Sequence, residues 1–219
     1  MAVIGIVGGT GKLGAALAGR WAKAGHAVLI GSRSAESAEA TAAGLSERFG
    51  RPVGAGTNLD VAARADIVVC TVPWAAQADR LGEIREAVRG KIVIDTSVPL
   101  VPPRVMRVQL PPEGSAALRA QAVLGDGVRL VSAFHNVAAH TLASDADVAC
   151  DVLVFSDDKE ARAVGVALAK DLGVRGLHGG ALANAAAAEA LTSILIFLNK
   201  TYQVDGAGIV ITGTLVEPA

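Results

Sequence analysis

Gly9-Thr10-Gly11-Lys12-Leu13-Gly14 has the G-x-G-x-x-G spacing and stands directly after a short Val/Ile run, at the head of a helical pattern. Glycines at these places permit a tight turn and let the main chain approach a pyrophosphate. Free N–H groups at the positive end of the helix dipole then hold that anion. The same glycines also suit a turn that only lets strand and helix pack closely. A phosphoryl-transfer loop does not fit, because G-x-x-x-x-G-K-[ST] ending at Lys12 requires glycine at Ile6 and Ser or Thr at Leu13. At the end of the next strand the chain reads Gly31-Ser32-Arg33, with no carboxylate before Glu36. An acidic side chain there holds the ribose 2′-hydroxyl of NAD, whereas Ser32 and Arg33 offer a hydrogen bond and a charge-assisted fork to the 2′-phosphate of NADP. Ser32 and Ser34 also suit caps on the following helix, with Arg33 solvated, and both readings can hold together.

Three further clusters follow strand-like runs: Thr71-Val72-Pro73-Trp74, Asp95-Thr96-Ser97-Val98-Pro99 and Ser132-Ala133-Phe134-His135-Asn136-Val137. In an open parallel sheet ligands bind outside the carboxyl ends of the strands, so these loops are expected to line one crevice with the glycine turn. Pro73 and Trp74 offer an apolar wall for a nicotinamide. His135 and Asn136 form a compact polar pair able to orient or protonate a second ligand, although a strand-end histidine can equally be tied to backbone. His26, His140 and His178 lack ligand spacing, so no metal site is expected, and no G-x-S-x-G elbow occurs. Asp157 and Asp158 read as helix caps. Arg104 and Arg107 suit either solvation or an anionic substrate tail.

The elements that must position these residues alternate in type. Strands are expected at Ala2–Val7, Ala27–Ile30, Pro52–Ala55, Asp66–Thr71, Lys91–Ile94, Arg129–Ala133, Asp151–Phe155 and Val174–Leu177. Helices fall at Lys12–Lys23, Ser34–Phe49, Ala75–Val88, Ser115–Leu124 and Lys159–Leu172, and one long helix at Ala181–Tyr202 precedes an extended tail, Gly208–Thr212. Near-continuous apolar strands separated by helices imply an α/β fold of Rossmann type: a doubly wound, mostly parallel sheet with a C-terminal extension ending in a long helix. Pro99, Pro102, Pro103, Pro111 and Pro112 make Ser97–Gly114 a long loop, a candidate lid.

Composition bounds the class. The chain has 219 residues, with Lys+Arg 20 against Asp+Glu 21, so a basic nucleic-acid binder held by phosphate contacts is excluded. Hydrophobic residues make up 52% but aromatics only 3%, so Ala, Val, Leu and Ile must fill the core. The best apolar run, Ala190–Leu198, falls short of the roughly 18 to 20 residues of a membrane helix, so no membrane is expected as a partner. Secretion is not expected from Met-Ala-Val-Ile and its following glycines, and Cys70 and Cys150, each in or beside a strand-like run, read as reduced core thiols of a cytoplasmic protein.

On Gly8–Gly14, Gly31-Ser32-Arg33, Thr71–Trp74, Ser132–Ala139, and Gly180–Asn184 with Glu189, Leu191 and Thr192, the chain resembles the NADPH-dependent reductases of the deazaflavin coenzyme F420. The resemblance covers nearly the whole length. It implies direct hydride transfer between C4 of a nicotinamide and C5 of the deazaflavin, with NADP and coenzyme F420 as small-molecule cofactor substrates. By that resemblance Thr10, Gly11, Lys12, Leu13, Ser32 and Arg33 hold the NADP phosphates, with Gly9 and Gly14 completing the cofactor-binding turn. Val72, Pro73, Trp74, Val98 and Ala139 border its ribose and nicotinamide, and His135, Asn136 and Val137 face the deazaflavin, His135 as the catalytic candidate. Where family members carry a lysine that adds a 2′-phosphate contact, this chain has Ser37. The resemblance further implies a homodimer, an NADP-binding core over residues 1–133, and a smaller C-terminal part over 134–219 that completes the deazaflavin side and the dimer interface. The same scaffold also serves imine or ferric reductases, and a non-catalytic NADP(H) redox sensor fits the dinucleotide motif alone.

Overall fold

A computed structural model describes residues 2–216. Eight strands form one sheet in the order β3-β2-β1-β4-β5-β6-β7-β8, where β1 is Val3–Val7, β2 Ala27–Ser32, β3 Val53–Thr57, β4 Ile67–Cys70, β5 Ile92–Asp95, β6 Arg129–Ser132, β7 Asp151–Phe155 and β8 Arg175–Gly180. The first six are parallel. The strand order reverses between β1 and β4, which opens a crevice at their carboxyl ends. β7 runs antiparallel to β6 and meets it with Phe155 opposite Ser132, so β7 lies beside the chain that follows β6. β8 then pairs parallel with β7.

Helices cover both faces, as the apolar strands require: α1 (Lys12–Lys23), α2 (Ala35–Phe49), α3 (Asn58–Arg64), α4 (Trp74–Ile84), α5 (Ala116–Leu124), α6 (Ala139–Ala143), α7 (Lys159–Asp171) and α8 (Ala185–Tyr202). One core layer packs Ile4, Ile6, Leu17, Trp21, Ile30 and Leu168 between the sheet and α1, α2 and α7. The other packs Val68, Leu81, Ile84, Val93, Leu124 and Leu182 beneath α4, α5 and the start of α8. With few aromatics available, Trp21 is the largest fully buried side chain; it meets Phe134 edge-on at 5.8 Å and donates its indole N–H to the Leu168 carbonyl.

Local chemistry accounts for most boundaries. Ser34, Ser115 and Asp158 cap α2, α5 and α7 through their side chains. The helix expected as a single rod from Ala181 instead opens with a 3-10 turn, Leu182–Asn184, before α8 begins. Asp157 is spent on that turn, accepting from the Leu182 N–H. Two short helices went unforeseen. α3 is held by a reciprocal capping box between Thr57 and Asp60, and α6 is only five residues long. α4 stops at Ile84 instead of Val88. The tail forms no strand, but Asp151 and Arg175 strap it down through Ile209 and Ile211. By length and mean hydropathy (1.4) Leu182–Tyr202 is enough to cross a bilayer, contrary to the reading of the sequence. The same helix buries Glu189 and Ser193 against neighbouring protein.

Candidate active site

The glycine turn leaves β1 with Gly8 at φ +75°, a conformation that favours glycine. A Cβ on Gly9 would lie 2.9 Å from the Ile6 carbonyl. One on Gly14 would meet Thr71 Oγ1 at 2.6 Å and Gly9 Cα at 2.8 Å. These two glycines are therefore packing devices that seat α1 against β1 and the Thr71 loop, and neither lines the two cavities of the crevice. Gly11 starts α1 with no capping side chain, so the first N–H groups of the helix face the crevice unclaimed by any side chain among the described residues.

Around this turn lies a cavity of about 440 Å³ lined by Thr10, Gly11, Lys12, Leu13, Ser32, Arg33, Asn58, Thr71, Val72, Pro73, Ala76 and Arg80. Ser32 is buried at the end of β2 and accepts from the Ser34 N–H, while Ser34 caps α2, so the capping reading holds. Arg33 stands exposed on the cavity lining, where the 2′-phosphate reading needs it. Asn58 was absent from the sequence-based candidates. Its Oδ1 accepts from the Gly8 N–H at 3.1 Å and braces the turn from α3. Only the Thr57–Asp60 capping pattern marks that helix in the sequence.

A second cavity of about 340 Å³ adjoins the first and shares Leu13, Thr71, Val72 and Pro73 with it. Trp74, Val98, His135, Val137, Ala139 and Thr192 complete much of its wall. Trp74 opens α4 and lies flat beneath the Arg119 guanidinium, 4.1 Å from the ring centre. Phe134 holds φ +66°, a strained value for a bulky residue. That twist buries Phe134 on Trp21 and brings His135, next in the chain, to the crevice. His135 is itself buried, with Nε2 2.8 Å from Ser132 Oγ. Burial pushes its pKa down to about 4, so the imidazole is neutral at pH 7.

Asn136 does not line this cavity. Its Nδ2 donates to the Ala188 carbonyl and to Thr192 Oγ1, both at 3.0 Å, and Thr192 Oγ1 also reaches the His135 carbonyl at 3.1 Å. Asn136 thus ties the histidine loop to α8. Two buried carboxylates, Asp95 and Glu189, stand in segments the sequence singles out but without a role assigned to either. Asp95 accepts from Gln77 Nε2 at 2.6 Å and Ser97 Oγ at 2.8 Å; burial raises its pKa to about 6. Glu189 accepts the Ala116 and Ala117 N–H groups at the start of α5, at 2.6 and 3.0 Å, and burial raises it to about 7. Asp95 has one partner two residues on, but Gln77 is 18 residues from it and Ala116 is 73 from Glu189, so neither carboxylate's full set of partners is readable locally. Among the described residues no cluster of His, Cys, Asp or Glu can hold a metal.

A doubly wound sheet with a glycine cradle at its switch point and an apolar crevice beside it defines a dinucleotide-binding α/β protein. Residues 3–99 match the family described as NADP oxidoreductase, coenzyme F420-dependent. The chain is 44% identical over 218 residues to the F420-dependent NADP reductase of Methanothermobacter thermautotrophicus, covering 95% of this chain and 94% of that one. It is 40% identical over 219 residues to that of Methanothermobacter marburgensis, covering 95% and 97%. A crystal structure from Arthrobacter sp. FB24, described as a candidate F420-dependent NADP reductase, superposes with a TM-score of 0.84 at 26% identity over 97% of this chain and 100% of that one. This chain belongs to the F420-dependent NADP reductase family.

Proposed function

We propose that the protein transfers a hydride reversibly between NADP(H) and coenzyme F420, with the dinucleotide phosphates in the larger cavity and both reacting rings in the smaller one. The observation that carries this reading is the pair of adjoining cavities sharing Leu13, Thr71, Val72 and Pro73. One is lined by the phosphate cradle and Arg33, the other by Trp74, Val98, His135, Val137 and Ala139. The coenzymes supply the chemistry when bound, a direct hydride transfer from one ring to the other, and the protein supplies position and exclusion of water.

Thr10 to Leu13 and the open end of α1 hold the pyrophosphate, and Ser32 with Arg33 binds the 2′-phosphate. Val72, Pro73, Trp74, Val98 and Ala139 confine the nicotinamide. His135 is neutral and fixed through Nε2 by Ser132, and its Nδ1 makes no hydrogen bond among the described residues, so it presents a hydrogen-bonding nitrogen and no charge to the deazaflavin. Asn136 acts at one remove by holding that loop. In this reading residues 1–133 carry NADP and residues 134–219 complete the deazaflavin side. The protein acts as a cytoplasmic homodimer, supported by exposed Ile194 and Phe197 on α8 and by two free thiols. The test is a mixture of purified protein, NADPH and oxidised deazaflavin, with NADH in parallel. Rapid loss of the deazaflavin's visible absorbance with NADPH is expected; NADPH binding without bleaching would overturn the proposal.

A further inference from the structure

Arg48, Arg80, Arg89, Arg129 and Arg175 make ion pairs, and Arg20 and Arg162 donate their guanidinium N–H groups to main-chain carbonyls. Arg104, Arg107 and Arg119 do neither, a state they share with Arg33, Arg51, Arg64 and Arg85. Among the described residues none makes an ion pair, and none of their guanidinium N–H groups donates a hydrogen bond. None of the three lines the smaller cavity, but each lies on an element tied to its wall. Arg119 lies on α5 with its guanidinium over Trp74, a wall residue of that cavity. Arg104 and Arg107 lie on the loop that leaves the cavity at Leu100 and reaches α8, where Ser193 Oγ, next to the wall residue Thr192, donates to the Arg107 carbonyl. The loop is braced: Gln109 Nε2 donates to the carbonyls of Val101 and Arg104. Stacking on Trp74 likewise orients Arg119 and leaves its donors free at the edge of the plane.

We propose that Arg104, Arg107 and Arg119 form an anion subsite for the tail of the deazaflavin, whose phosphodiester and glutamate carboxylates lie beyond the ring and its sugar-alcohol chain. The inference rests on the function proposed above. It follows from charge: the cations of the dinucleotide side, Lys12 and Arg33, line the other cavity, so a second polyanion needs its own. Arginine forks match phosphate and carboxylate geometry, and unpaired guanidiniums bind such groups without first breaking an ion pair.

The experiment is direct binding, followed by the deazaflavin's own fluorescence without NADPH. It compares the full coenzyme with its riboside, which lacks phosphate and glutamates. The wild type is expected to bind the full coenzyme more tightly, and added salt to weaken that binding more than riboside binding. The double variant Arg104→Ala/Arg107→Ala and the variant Arg119→Met, which keeps an apolar body on Trp74, should each cut the riboside-to-coenzyme Kd ratio by roughly three- to tenfold. Circular dichroism and melting establish that the variants are folded. An unchanged ratio in folded variants would overturn the subsite, as would a rise in the Kd for NADPH in place of the coenzyme. A wild type that binds both deazaflavins equally overturns the subsite alone; one that binds neither overturns the proposed function itself.

Discussion

The two sides of the crevice are built by opposite means. On the proposed dinucleotide side the surface offered to a ligand is largely main chain: Gly8, Gly11 and the first turn of α1 form the cradle, Ser32 and Ser34 bond within two or three residues of themselves, and Asn58 and Thr71 only brace the turn from behind. On the proposed deazaflavin side the loops are held by side chains reaching across the chain. Asn136 and Thr192 are 56 residues apart and Glu189 reaches Ala116 over 73. A backbone cradle tolerates little change in shape, whereas a side-chain brace loses strength step by step as its bonds are removed.

The largest expected effect tests that contrast at its rigid end. Gly14→Ala places a Cβ 2.6 Å from Thr71 Oγ1 and 2.8 Å from the Gly9 main chain, so α1 must move off the turn. The Kd for NADPH, measured by fluorescence titration, should rise by roughly 100-fold. Retained affinity would show that the cradle is softer than its contacts indicate. Arg33→Ala comes next, because it removes one charged fork and leaves the backbone alone. The Michaelis constant for NADPH should rise roughly tenfold while that for NADH stays within about twofold. Equal changes for both would remove Arg33 from the 2′-phosphate.

The same contrast explains what the sequence made legible. The bounds of α1 and β7 coincide with their expected residues, and the crevice loops lie together at the strand ends, because apolar periodicity and strand-end placement are local signals. The role of Asn136 is a different matter. Its neighbours in the chain point it toward the crevice, and only the docking of α8 shows that its amide is spent on Ala188 and Thr192. Asn58 and the break before α8 are likewise tertiary facts, set by Gly8 and Asp157.

On the deazaflavin side the effects should be smaller and separable. His135→Ala should lower deazaflavin turnover roughly tenfold with the Kd for NADPH within about twofold, read by stopped-flow bleaching. Because His135 titrates near pH 4, no limb from it should appear in kcat between pH 6 and 8. Asn136→Ala loosens the loop but keeps the imidazole, so its loss should be less, about threefold to fivefold. Loss in Asn136→Ala equal to that in His135→Ala would mean that loop placement, and not the ring itself, limits turnover.

The smallest expected effect is on stability. Asp95 and Glu189 hold folded-state pKa values of about 6 and about 7, above the ordinary carboxylate range, so the folded chain keeps protons that the unfolded chain has released. Stability from this source is fully present below the unfolded values near pH 4 and is lost as pH rises through 6 and 7. His135 has the opposite sign: with a folded value of about 4, its share is present above pH 6.5 and lost as pH falls. Between pH 6.5 and 8 the remaining slope therefore belongs chiefly to Glu189. The wild-type melting temperature should fall across that window by about 2 °C, and Glu189→Gln should flatten the fall. It should also lower the whole curve, because a glutamine has one carbonyl oxygen for the Ala116 and Ala117 N–H groups that two carboxylate oxygens now serve. Parallel curves for the two proteins would show that Glu189 is already ionised in the fold, leaving the helix α5 N–H groups to stabilise a charge and not an acid.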